Sequence, residues 1–143
     1  MPELPEVEVT RLGLQPLINL SIVKVVIRNH SLRWPINSAL PKLLKNQTLL
    51  DLSRRGKYIL AKLNNGTLII HLGMSGRLCI VSFSEPLNKH DHVDIRFKEN
   101  NLILRYRDPR RFGSILWTEK DPYNHKLIKN LGPEPLNSEF DAK

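Results

Sequence analysis

The sequence predicts an α+β fold: an antiparallel β-sandwich of about eight strands in two sheets, flanked by two main helices. Three observations lead there. From residue 48 onward, short runs rich in β-branched and aromatic residues follow one another closely, separated by turns containing Asn and Gly. Helical periodicity is concentrated near the N-terminus and around residue 40. With 143 residues, 41% of them hydrophobic, the chain has one domain's length and enough apolar side chains to bury a core.

In chain order, residues 5–18 are predicted helical, because Val7, Leu14 and Ile18 share a face and Pro16 marks the end of regular geometry. Residues 21–28 (SIVKVVIR) read as a strand. Residues 29–35 are a loop carrying Arg33 and Trp34, a pair that could serve DNA or pack locally. A short helix is expected over 38–45, with Pro41 near its first turn. Strands follow at 49–53, 57–63, 67–71 and 77–81, with Asn64-Asn65-Gly66 as a hairpin turn. In 92–98 the alternation sends Val93, Ile95 and Phe97 one way and His92, Asp94, Arg96 and Lys98 the other. Strands at 102–106, after Asn100-Asn101, and at 113–117 complete the set. A short helix is expected at 124–130. Beyond it Leu131-Gly132-Pro133-Glu134-Pro135-Leu136 stiffens the backbone, and 137–143 read as the start of a linker.

Charge narrows the partners. An excess of 22 Lys and Arg over 14 Asp and Glu gives a net +8 and a pI near 9.9. Spread along the chain, that excess suits a polyanion such as nucleic acid, although a ribosomal or membrane-surface protein would share the balance. The single cysteine, Cys79, excludes a disulfide framework and predicts a cytoplasmic home. No run approaches the ~18 apolar residues of a membrane span. The N-terminus lacks the basic start and apolar run of an export signal.

The first eight residues, MPELPEVE, offer a terminus capable of chemistry. Removal of Met1 would leave Pro2 with a free secondary amine, and α-amino groups titrate at roughly 7.7–8.0, low enough for nucleophilic attack near neutral pH. Such an amine can form a covalent imine with a sugar aldehyde. Glu3, next in the chain, could move the protons. The same stretch also suits an ordinary helix start, with Pro5 and the acids Glu3, Glu6 and Glu8 near the positive end of the dipole.

Further clusters stand along the strands. In Ser53-Arg54-Arg55-Gly56-Lys57-Tyr58, Lys57 is either a solvated strand-end lysine or a proton shuttle flanked by cations. In His71-Leu72-Gly73-Met74-Ser75-Gly76-Arg77 two glycines leave Met74 at a loop tip, either folded back on the core or serving as an apolar wedge that fills the gap left by a displaced base. In Asp108-Pro109-Arg110-Arg111-Phe112-Gly113 two arginines beside an aromatic ring suit phosphate contact and insertion; a cation-π surface turn is the alternative. Lys89-His90-Asp91-His92 hints at metal, but further ligands are not evident, and a phosphate contact from His90 is preferred.

Together MPELPEVE, SRRGKY, HLGMSGRL, KHDHVD, RYRDPRRFG and LGPEPL resemble, in order and spacing, the bacterial formamidopyrimidine-DNA glycosylases. Leu4 and the turn from Arg110 to Phe112 favour this branch over endonuclease VIII, which prefers oxidised pyrimidines. The resemblance implies base-excision repair of oxidised purines such as 8-oxoguanine, by a bifunctional DNA glycosylase and abasic-site lyase. It implies that Pro2 attacks the damaged nucleotide's anomeric carbon, Glu3 is the acid, and Lys57 serves the β-elimination and holds a phosphate. Met74, Arg110 and Phe112 would fill the space of the flipped nucleotide, while His71, His90 and Arg111 bind backbone. The partner implied is double-stranded DNA with oxidised purines or abasic sites, met in the bacterial cytoplasm at the nucleoid; a monomer with no membrane association is expected. Residues 1–131 would be the catalytic domain. Residues 132–143 would be a linker toward a helix-two-turn-helix and zinc-finger half that this sequence does not contain; with Cys79 alone, no cofactor or metal site is expected within it. The isolated domain should be impaired. The rival readings are a non-catalytic DNA-binding module and an endonuclease VIII-like glycosylase.

Overall fold

The computed structural model describes residues 4–129. Helix α1 (Leu4–Gly13) leads into strand β1 (Ile22–Ile27), and the short helix α2 (Leu40–Leu44) follows. Then come β2 (Asp51–Arg55), β3 (Tyr58–Lys62), β4 (Thr67–His71), β5 (Arg77–Ser82), β6 (Asp91–Phe97), β7 (Leu102–Arg107), β8 (Ser114–Thr118) and the short α3 (Lys126–Lys129). The strands form two antiparallel four-stranded sheets, in the orders β1-β6-β7-β5 and β2-β3-β4-β8, as the sequence predicts.

One core cluster draws on both sheets and on the helices: Ile59, Leu68 and Ile70 meet Ile95, Phe97 and Leu104, with Val7, Leu14, Leu17, Leu40 and Leu44 closing the ends. Such contacts each remove an apolar side chain from water, worth about 1.5–3 kcal/mol apiece. A smaller cluster lies on the other face of the second sheet, where Ile128 of α3 covers Leu60 and Ile69. The central strands β3 and β4 are therefore covered on both faces.

The end of the first helix is refined. The helix predicted to residue 18 stops at Gly13, and residues 15–17 form a tighter 3₁₀ turn, with Leu17 N–H donating to Leu14 O and Ile18 N–H to Gln15 O, each at 3.0 Å. Pro16 explains this, since it has no N–H for the α ladder and its ring collides with the preceding turn. On the second face of β6, Asp91, His92 and Asp94 are as buried as Val93 and Ile95, while Arg96 is half-buried and Lys98 exposed. Strand β7 lies between β5 and β6 in the sheet, so the 83–90 connection has to cross it. Pro86 O accepts from Arg105 Nη1 at 3.2 Å, which fastens the crossing segment over that face.

Candidate nucleic-acid interface

The predicted interface residues within the described region collect at one end of the sandwich. The turn between β2 and β3 presents Lys57, and Tyr58 is paired across the ladder with His71, the last residue of β4. Their rings lie 4.8 Å apart. His71 Nδ1 accepts from Gly73 N–H at 3.0 Å, so the proton of the neutral ring sits on Nε2. Burial, reinforced by the positive charges of Lys57 and Arg33, holds His71 below its ordinary pKa and keeps it neutral near pH 7. Glu8 of α1 braces the same corner: it pairs with Arg11 at 2.6 Å and Arg54 at 3.1 Å, and Arg54 Nη1 donates to Gly56 O beside Lys57.

Pro2 and Glu3 lie outside the described residues, as do the predicted linker and the end of the predicted helix at 124–130. The first turn of α1 fixes where their chain neighbours are. Pro5, Glu6 and Val9 line a groove of about 630 Å³ against Leu72, Met74 and Cys79. Met74 is 46% exposed at the tip of its loop, so it is not folded back into the core.

Two loops close on one another beside it. Gly73, at φ +62°, packs so tightly that a Cβ there would meet the backbone of Phe112 and Gly113. Between them sits Asp108, fully buried. Its Oδ1 accepts from Ser75 Oγ at 2.7 Å and Arg111 N–H at 3.0 Å, and its Oδ2 from Tyr106 OH at 2.6 Å and Gly113 N–H at 2.9 Å. Burial opposes ionisation of Asp108, but these donors outweigh it and hold its carboxyl below the ordinary range; the Tyr106 hydroxyl is pushed well up, by burial first and by Asp108 second. The main chain of Asp108 reaches a third loop, donating to His90 O at 3.1 Å and accepting from His92 Nε2 at 2.8 Å. Thus one residue ties together the segments carrying Met74, His90 and Arg110 to Phe112.

The outcome at the DPRRF turn is an exposed Phe112 with Arg110 stacked over its ring at 5.1 Å and Arg111 beside it. Arg111 adopts the left-handed backbone region at φ +57°, which costs a non-glycine residue about 1 kcal/mol or more and is held by its bond to Asp108. The preceding arginines are different. Arg105 is buried and clasps Asp94, while Arg107 clasps Asp91 at 2.6 Å. His90 and His92 do not converge on a common point: their rings are 6.4 Å apart and edge-on, and His92 is engaged by Asp108. Among the described residues no three His, Cys, Asp or Glu side chains are grouped as a metal would require. Sequence reasoning missed Ser75, Tyr106 and the role of Asp108. The signal available was a carboxylate flanked by proline in a turn otherwise made of cations.

The comparisons with known proteins agree. The family model described as the formamidopyrimidine-DNA glycosylase N-terminal domain matches residues 1–115. The formamidopyrimidine-DNA glycosylase of Methylobacillus flagellatus is 52% identical over 143 residues, covering 100% of this chain and 51% of that protein. That of Saccharophagus degradans is 54% identical, covering 99% and 52%. The chain thus spans about half the length of the relatives it matches. Among solved structures, the Lactococcus lactis Fpg in complex with abasic-site DNA superposes with a TM-score of 0.75 at 31% identity, covering 82% of this chain and 44% of that one. The same protein with DNA containing N7-benzyl-Fapy-dG gives 0.75 at 32% identity, with the same coverage. The sequence motifs, the two-sheet fold and these matches together establish that this chain belongs to the formamidopyrimidine-DNA glycosylase family.

Proposed function

We propose that these residues form the catalytic half of a bifunctional DNA glycosylase and abasic-site lyase that removes oxidised purines, 8-oxoguanine and formamidopyrimidines, in base-excision repair. The observation that carries this reading is the convergence on one edge of Lys57, His71, Met74, His90 and the Arg110–Phe112 turn, tied through Asp108 and adjoining the groove at the start of α1. The relatives' names and the DNA complexes of the Lactococcus lactis protein support it.

In this reading the enzyme first extrudes the damaged nucleotide, because its reacting atoms lie inside the stack. Met74 and Phe112 fill the vacated space, and Arg110 faces the orphaned base. His71 Nε2–H, His90 and Arg111 hold the backbone. The Pro2 amine attacks C1′ as the C1′–N bond breaks, and Glu3 supplies the proton that leaves with the base. The opened sugar is then held as an iminium on Pro2. Loss of a C2′ proton expels the 3′ phosphate, Lys57 moving the proton, and water hydrolyses the imine to free the terminus. Flipping costs a few kcal/mol. The 143 residues alone provide only part of the contacts that meet this cost, so they should trap DNA that is already abasic but excise 8-oxoguanine from duplex poorly.

Borohydride reduction in the presence of an abasic oligonucleotide tests the proposal. The expected result is a covalent adduct that maps by peptide mass spectrometry to an N-terminal Pro2 and is lost when Met1 is retained. No adduct at low salt, or one on a lysine, would overturn it.

A further inference from the structure

The pair Arg33 and Trp34 has no part in the mechanism above, yet its setting is specific. Residues 30–36 close on themselves: Ser31 bridges Pro35, Ile36 N–H donates to His30 O at 2.9 Å, and Ser31 N–H donates to Asn29 Oδ1. Leu32 and Ile36 are buried and anchor this loop in the core. Trp34, far larger than either, is left 43% exposed although burying it would remove 150–250 Å² from water. Arg33 stacks over it with 5.4 Å between guanidinium carbon and ring, and Arg33 N–H donates to Gly113 O at 3.0 Å. That bond docks the loop on the DPRRF turn.

The result is a groove of about 580 Å³ that shares no lining residue with the Met74 groove, lined by Arg33, Trp34, Arg110, Arg111 and Phe112 together with Ser31 and Leu32. It contains two exposed aromatic rings, each under an arginine, and no acidic side chain. Among the described residues none of these three arginines has a carboxylate partner. Cations that follow a phosphodiester chain, interleaved with rings on which bases stack, form the chemistry of a nucleic-acid strand site rather than of a protein or small-anion site.

We propose that Arg33 and Trp34 form a second nucleotide subsite beside the wedge: Arg33 holds a backbone phosphate, and the Trp34 ring packs against the adjoining nucleotide on the flank of the disrupted base pair. This rests on the DNA-binding reading above and extends it to a loop distant in sequence from the other contact residues. The consequence is that the wedge turn is held by two loops, the Met74 loop and the Arg33–Trp34 loop.

Fluorescence anisotropy with a duplex carrying a tetrahydrofuran abasic analogue, across a range of salt, provides the test on the 143-residue chain. Trp34→Ala should weaken binding about fivefold or more, and Trp34→Phe should restore most of it. Arg33→Ala should reduce the salt slope by about one phosphate, whereas Arg33→Lys should keep it. Both side chains are exposed, so thermal midpoints should stay close to that of the parent. In a Trp117→Phe background, DNA should also quench the emission that remains, from Trp34. If Arg111→Ala weakens binding while all Arg33 and Trp34 variants bind as the parent does, the subsite is wrong and the broader reading stands. If the parent chain does not bind at low salt, both are wrong.

Discussion

Two buried carboxylate centres lie within a few strand positions of each other and are satisfied in opposite ways. Asp94 and Asp91 on β6 are met by arginines: Arg105 and Arg28 on Asp94, Arg107 on Asp91. Asp108 is met by two hydroxyls and two backbone N–H groups, with no cation among the described residues. The first arrangement consumes positive charge to pin the 83–90 crossing onto the sheet. The second stabilises a carboxylate with neutral donors and leaves Arg110 and Arg111 turned outward, the kind of cation a phosphate backbone can neutralise. The net +8 is therefore not uniformly available to a partner: being basic in sequence and being free to bind are separate properties, and the buried carboxylates sort them.

The comparison breaks most easily at Asp94. Removing its carboxylate leaves Arg105, whose side chain is only 3% exposed, with just the longer 3.8 Å pairing to Asp91 as its charge partner, so Asp94→Ala should cost about 3–5 kcal/mol in urea unfolding. Replacing both partners by apolar residues, Asp94→Leu with Arg105→Met, should recover most of that. A loss under about 1 kcal/mol for the single change would mean the pair is not the anchor described. Asp108→Ala should cost less, about 2–4 kcal/mol, because water can reach some of the abandoned donors near the loop surface. Its effect should be local: the amides of Arg111 and Gly113 lose hydrogen-exchange protection while those of Ile95 and Leu104 keep it. Uniform loss across both sheets would contradict the assignment of Asp108 to the loops.

Acid should weaken both centres. Folding holds the carboxyls of Asp91, Asp94 and Asp108 below their ordinary values, since in each case burial, which works the other way, is outweighed by the donors. The unfolded chain then binds more protons in the acid range. This stability is fully present above about pH 4, the ordinary aspartate value, and is lost as pH falls through the lower folded values. The stability gap between the parent and Asp108→Asn should accordingly narrow below about pH 4. A gap that stays constant would show that Asp108 is not ionised when buried.

The ladder was readable because its signals are local. Asn64-Asn65-Gly66 sits where the turn between β3 and β4 falls, and Val93, Ile95 and Phe97 alternate into the core as their period requires. The end of α1 and the second face of β6 were less readable, because each depends on something outside the local pattern: a proline that permits a 3₁₀ continuation, and a crossing segment that covers polar residues. At the proposed interface, Met74, Arg110, Arg111 and Phe112 stood out because a methionine between glycines and paired arginines beside an aromatic ring are conspicuous in sequence. Asp108 did not, because its donors come from positions 75, 106, 111 and 113 and assemble only when two sheets meet. Arg105 and Arg107 look in sequence like part of the same basic cluster as Arg110 and Arg111; alternation sends them to Asp94 and Asp91 instead.

The salt dependence of DNA binding by Arg107→Ala and Arg111→Ala, four positions apart, tests this sorting of charge most directly. The account predicts that Arg111→Ala lowers affinity for damaged and undamaged duplex alike and reduces the slope of log affinity against log salt by about one contact, with stability within about 0.5 kcal/mol of the parent. Arg107→Ala should leave the slope unchanged and lower stability instead. Equal reductions in slope for the two variants, or a reduction for Arg107→Ala alone, would contradict it.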